Sequence, residues 1–217
     1  NRALEPIGES LPLNLKGNKA IEHTYEKLGE AYDSLLPKLK GDMSPSFRGE
    51  LDTIKSAGQN LPEAQRSQLN AIIDKEVVGQ FTSSGLASGE TLKSIESLLG
   101  KLAIKKGQSD NYHENQLGGA IKEVQAAMRR MVNDVNPTYQ GELAKINEGY
   151  SNFKIAQKAA SSSAAQEGVF SPTQLHQAVR AQDKSKDKAR FAEGNANMQD
   201  LSSAAKSVLP SSVPDSG

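Results

Sequence analysis

The apolar residues between Leu117 and Val135 recur at intervals that alternate between four and three residues. The members of this stripe are Leu117, Ile121, Val124, Met128, Met131 and Val135. Because an α-helix turns once in about 3.6 residues, this spacing places all six side chains on one face of one helix. A mean spacing of about 3.5 residues is also typical of helices that pack side by side in bundles and left-handed coiled coils. The stripe therefore predicts a long helix with one buried face.

The same spacing occurs in two further stretches, one from Ile21 to Leu39 and one from Tyr139 to Phe153. Pro137 precedes the second of these, and proline is favoured at the first position of a helix. Two helices joined as a hairpin at Pro137 are the preferred interpretation, and one rod kinked there is the alternative. No stretch alternates apolar and polar residues for long, so we expect no β-strand.

Composition limits the size of the core. Only 36% of the residues are hydrophobic, and the aromatic residues are five Phe and five Tyr without Trp. Such a thin core suits helices packed in a long bundle better than a compact globule. The stripes either form the core of one monomeric bundle or leave one apolar face for a partner or for self-association.

Proline and glycine divide the chain into four parts. We predict an extended segment at residues 1–17, a helical bundle at 18–167, a smaller C-terminal helical unit at 168–209 and a tail at 210–217. The expected fold is all-α, an elongated bundle of about seven to eight helices with coiled-coil-like packing.

The most organised short motif is the corner that leads into the C-terminal unit. If Ser171 caps a helix, Pro172 occupies the first helical position and Gln174 the third, which completes a capping box. Phe170 before the cap and Leu175 at the fourth position would then form a hydrophobic staple. We interpret this motif as a corner in the backbone rather than as a chemical site.

No pattern of residues indicates a catalytic, cofactor or metal site. The chain has no cysteine, which excludes disulfides, zinc–thiolate sites and thiol nucleophiles. His23, His113 and His176 lie far apart in sequence, and each is expected on the surface of a helix. The pair His113-Glu114 does not form a zinc-protease motif, because Leu117 stands where a second histidine is required. We therefore predict a non-enzymatic chain without cofactor or metal.

Acidic and basic residues balance at 26 each, so no net field attracts the molecule to nucleic acid or to an anionic membrane. Only the segment RAQDKSKDKAR is locally basic. Its candidate nucleic-acid contacts are Lys184, Lys186, Lys188 and Arg190. A solvated surface turn is the preferred interpretation, because no aromatic residues are interleaved to stack on bases.

The apolar runs are only a few residues long, whereas a helix that crosses a bilayer needs roughly 20. The first residues also lack a basic region followed by a sustained apolar run, so we expect no signal peptide.

Three motifs near the ends of the chain are distinctive. They are GVFSPTQL from Gly168 to Leu175, GNANMQDL from Gly194 to Leu201 and VPDSG from Val213 to Gly217. Together with the leading stretch LEPIGESLPLNLKGNKAIEHTYEKLGEAYDSLL, they resemble segments of large structural proteins of tailed bacteriophages and prophages. The resemblance covers both ends of the chain.

The resemblance implies an internal virion or DNA-ejection protein, one that leaves the capsid with the genome and helps to build a path through the host envelope. The implied partners are other virion proteins and further copies of the chain. The implied location is the virion, after synthesis in the cytoplasm of a bacterial host.

Two other functions are alternatives. Some proteins of this kind carry a peptidoglycan-cleaving transglycosylase domain, but Glu9-Ser10 and Glu96-Ser97 are not followed by the glycine of that catalytic context. A DNA-binding helical module that uses the basic segment is the second alternative, and its binding would depend steeply on salt.

Overall fold

The computed structural model of the chain describes residues 1–163 and 165–208, without the side chain of Lys186. These residues form a predominantly helical structure, which confirms the predicted all-α class. The α-helices of the described residues are α1 (Gly17–Leu35), α2 (Pro45–Ala57), α3 (Glu63–Ala71), α4 (Gly89–Gly107), α5 (Tyr112–Val135), α6 (Gln140–Ala160), α7 (Pro172–Gln182), α8 (Ala189–Ala192) and α9 (Gln199–Val208).

Short segments of other helical types complete this framework. Segments of 3₁₀-helix occur at Glu5–Ile7, Leu36–Lys38, Gly58–Asn60, Val78–Gln80, Pro137–Tyr139 and Lys186–Lys188, and Ile72–Val77 forms a π-helix. The backbone leaves the α-helical conformation at Asn136, and Pro137 begins the 3₁₀ turn that leads into α6. The α-helical conformation is therefore interrupted between α5 and α6.

The expectation of a chain without strands is wrong. The strands β1 (Lys40–Asp42) and β2 (Leu86–Ser88) form an antiparallel pair in which Gly41 lies opposite Ala87. Each strand has three residues, which is too short for an alternating pattern to be visible in the sequence.

The described chain divides into two compact units. Unit 1 comprises Asn1–Tyr32 and Glu142–Gly217, of which residues 209–217 lie outside the description, and unit 2 comprises Asp33–Gly141. This division differs from the predicted boundaries after residues 17 and 167. The predicted tail at 210–217 lies outside the described residues.

The predicted 117–135 stripe lies in the core of unit 2. Leu117, Ile121 and Val124 are fully buried, Met128 and Met131 nearly so, and Val135 is partly buried against the same cluster. α4 is the main helical partner of α5, and its side chains Leu92, Ile95 and Leu99 are buried in this cluster. The stripe is thus used inside the unit and is not left for a partner.

Two adjacent glycines in α5 have opposite surroundings. A Cβ atom on Gly118 would lie 2.4 Å from the backbone nitrogen of Gly107, at the end of α4. A Cβ atom on Gly119 would meet no other atom within 4 Å. Gly118 therefore allows the two helices to approach closely, whereas Gly119 does not contribute to that contact.

We expect Gly118→Ala to lower the free energy of unfolding by about 1–3 kcal/mol, because backbone atoms cannot move aside as a flexible side chain does. The matched control, Gly119→Ala, should raise the free energy of unfolding by about 0.5–1 kcal/mol through better helix propensity. Urea unfolding of both variants measures the difference. Equal effects of the two substitutions would contradict the close approach at Gly118.

Candidate binding site

Unit 1 contains an apolar pocket with a volume of about 390 Å³. Its lining includes the buried side chains of Leu4, Phe153 and Leu175 and the exposed side chains of Val169 and Leu201. The volume lies within the range of roughly 300–1,000 Å³ that is typical of ligand pockets.

The N-terminal segment forms one wall of the pocket through Leu4, Leu11 and Leu15. It is attached to α6 by backbone contacts: the Asn152 side chain donates to the Arg2 carbonyl at 3.2 Å, and a Cβ atom on Gly149 would lie 2.7 Å from the Ala3 carbonyl oxygen. This segment is therefore part of unit 1 and not an independent extended region.

The turn before α7 forms a second wall. The Asn18 amide at the start of α1 donates to the Glu167 carbonyl at 2.8 Å. Gly168 has a φ of +80°, and a Cβ atom there would lie 2.3 Å from the Asn18 side-chain oxygen, so glycine is required on both grounds. This attachment places Val169 and Phe170 at the pocket.

The predicted corner motif has the geometry of a capping box. The Ser171 hydroxyl accepts a hydrogen bond from the Gln174 amide at 3.3 Å, and the Gln174 side-chain oxygen accepts one from the Ser171 amide at 2.5 Å. Pro172 occupies the first turn, and Phe170 packs with buried Leu175 in one apolar cluster. Phe170 and Leu175 also line the pocket, which the sequence did not indicate.

His176 is not the surface residue that the sequence predicts. It is half-buried between α7 and α9, where its Nδ1 atom lies 3.1 Å from the hydroxyl of fully buried Ser202. Its ring contacts Phe191 edge to face, with 5.1 Å between ring centres. Burial, with a smaller contribution from the positive charge of Lys206, lowers the pKa of His176 below its ordinary value.

The basic segment is partly committed to internal hydrogen bonds. The buried Asp183 carboxylate accepts hydrogen bonds from the amide and hydroxyl of Ser185 and from the Phe191 amide, and the Ser185 hydroxyl is the main cause of the lowered pKa of Asp183. The Lys188 ammonium group donates to the Asp183 carbonyl at 2.5 Å.

The remaining candidate nucleic-acid contacts differ in exposure. Lys184 and Arg190 are exposed, Lys188 is half-buried, and the side chain of Lys186 is not described. Nucleic-acid binding by this segment stays a prediction.

Of the two basic side chains that line the pocket, one is paired with carboxylates and the other is not. Arg2 forms ion pairs with Asp200 and, at 3.9 Å, with Glu5. Lys16 is exposed and has no carboxylate partner among the residues for which a structure is described. The lining thus combines an apolar surface with one cation available to an acidic group.

The other histidines are separate from this pocket. His23 is half-buried in α1, and His113 is exposed at the start of α5, where its ring lies 3.4 Å from the Gln116 side-chain oxygen. Within residues 1–163 and 165–208, no three His, Asp or Glu side chains are grouped as metal ligands. None of the helices described is long and apolar enough to span a bilayer.

Comparison of the chain with protein-family models, with curated proteins and with solved structures gave no match.

We expect Ser171→Ala to lower the free energy of unfolding of unit 1 by about 1 kcal/mol, because the Gln174 amide loses its capping acceptor. Ser203→Ala, at an exposed position in α9, is the control and should change stability by less than about 0.5 kcal/mol. Chemical unfolding monitored by circular dichroism distinguishes the two. A Ser171→Ala variant as stable as Ser203→Ala would show that the capping box does not contribute.

Proposed function

We propose that this chain is a non-enzymatic structural segment of a bacteriophage virion protein, of the internal or ejection type, that acts through protein–protein assembly. The observation that carries the proposal is the apolar pocket of unit 1 with its exposed apolar margin. The phage-like motifs support the virion context, and two of them, GVFSPTQL and GNANMQDL, contribute residues to this pocket.

The margin of the pocket favours a macromolecular partner. Val169 is 57% exposed and Leu201 40% exposed, and Leu13, between the lining residues Leu11 and Leu15, is 98% exposed. Removal of such surface from water contributes about 25 cal/mol per Å² before the entropic cost of association is subtracted. Exposed apolar side chains at the margin of an apolar pocket favour an interaction site.

The charges around the pocket indicate the chemistry of the partner. Arg2 is paired within unit 1, whereas Lys16 is available. A partner segment with aliphatic side chains and a nearby carboxylate would bury the apolar surface and pair with Lys16. We propose that such segments belong to other virion proteins or to a second copy of this chain, and that the assembly aids genome delivery.

Val169→Asp tests the proposal, because a carboxylate at the pocket margin would have to lose its hydration when a partner binds. We expect this change to reduce incorporation of the protein into the virions of its own phage at least about 10-fold, as measured by quantitative immunoblotting of purified particles. Ile104→Asp is the matched control, since Ile104 is 58% exposed but lies on α4 of unit 2. It should be incorporated normally.

Two results would contradict the proposal. One is equal incorporation of the Val169→Asp variant and the wild-type protein. The other is clearing of a peptidoglycan gel by the purified chain that is lost on replacement of a single Glu, which would identify an enzyme instead.

A further inference from the structure

Helix α9 forms part of the pocket and depends on α7 for its position. Leu201 on α9 and Met198, which precedes the helix, both line the pocket. α9 has ten residues, and isolated helices shorter than about 12–15 residues are marginal in water. The contact between α9 and α7 therefore decides whether this wall of the pocket is present.

The polar centre of that contact is His176 on α7. Its Nδ1 atom lies 3.1 Å from the Ser202 hydroxyl, and the hydroxyl also donates to the Gln199 carbonyl at 3.0 Å. Ser202 is completely buried and follows Leu201 directly. The imidazole thus lies in the interface between α7 and α9, where it contacts the residue that follows Leu201 of the pocket wall.

The charged groups around His176 do not favour an imidazolium ion. On α9, Lys206 is positive, and Asp200 is paired with Arg2. On α7 itself, Arg180 is exposed one turn beyond His176.

The neighbouring segment around α8 carries the exposed carboxylates of Asp187 and Glu193, and neither is a cause of the shifted pKa of His176. α8 contacts the imidazole through the uncharged ring of Phe191, and the preceding residue in this helix, Arg190, is exposed and positive. The Asp183 carboxylate already accepts two hydrogen bonds from Ser185 and one from the Phe191 amide. A proton added to His176 would therefore create a half-buried positive charge beside another positive charge.

We propose that protonation of His176 releases α9 from α7 and so removes Leu201 and Met198 from the pocket, which makes this surface sensitive to pH. The effect on partner binding rests on the function proposed above, whereas the release of α9 does not.

The direction of the effect follows from linkage. Because burial and Lys206 lower the pKa of His176 in the folded chain, the unfolded state binds the proton more tightly. The contribution of neutral His176 to stability is therefore complete above the ordinary histidine pKa of about 6.5 and is lost as the pH falls through the lower value of the folded state.

Amide hydrogen exchange of α9, corrected for the intrinsic effect of pH, measures the release directly. Between about pH 7.5 and about pH 5, we expect the protection of residues 199–208 to fall in the wild-type chain and to fall further than in His176→Gln. In His176→Gln the side chain can still hydrogen-bond to Ser202 but does not titrate, so protection should not change with pH. His23→Gln and His113→Gln should behave like the wild-type chain.

The proposal is overturned if protection of α9 is independent of pH in the wild-type chain, or falls equally in His176→Gln. Titration of the three imidazoles by NMR in the wild-type chain gives a second measurement that requires no variant to fold. His176 should titrate below the ordinary histidine pKa of about 6.5, and titration at or above that value would overturn the proposal.

Failure of this inference and failure of the proposed function give different results. Exchange in α9 needs no partner, so pH-dependent release supports the inference even if Val169→Asp is incorporated normally into virions. Conversely, if Val169→Asp is not incorporated into virions and hydrogen exchange in α9 does not depend on pH, the assembly function is supported. The release of α9 by protonation of His176 is then rejected.

Discussion

Burial of Leu4 against Phe153 is the interaction on which the candidate site depends. Both side chains are almost inaccessible to water, and both line the pocket. In the same helix as Phe153, Gly149 lies against the Ala3 carbonyl, and the Asn152 side chain donates a hydrogen bond to the Arg2 carbonyl. A pocket wall made in this way exists only while residues 1–32 remain packed on α6, so the binding surface and the fold of unit 1 share the same contacts.

Patterns in the sequence predicted those parts of the structure that depend on interactions between residues close together in the chain. The α5 stripe is buried as its spacing indicates, and the capping box forms because Ser171, Pro172 and Gln174 interact within one helical turn. In these cases the residues that decide the structure are neighbours in sequence.

The features that sequence analysis missed depend on residues distant in sequence. The interface role of His176 requires Ser202 and Phe191, which belong to separate short helices. Leu11 and Leu15 flank Pro12, which disfavours a regular helix there, so their place in the pocket comes from tertiary packing. The pair of β1 and β2 is likewise formed by segments more than forty residues apart, from Lys40 to Ser88. A periodic pattern carries no information about such pairings.

The discontinuous composition of unit 1 also determines when the pocket can form during biosynthesis. Unit 2 is one continuous stretch, Asp33–Gly141, and all of its residues leave the ribosome before α6 is complete. Leu4 and its neighbours are synthesised before unit 2, whereas their partner Phe153 is synthesised after it. Because domains fold as their residues emerge, unit 2 can acquire its core while the apolar residues of the N-terminal segment still await theirs. The nascent chain thus carries an exposed apolar segment throughout the synthesis of unit 2, which is a period of exposure to chaperones and to premature association.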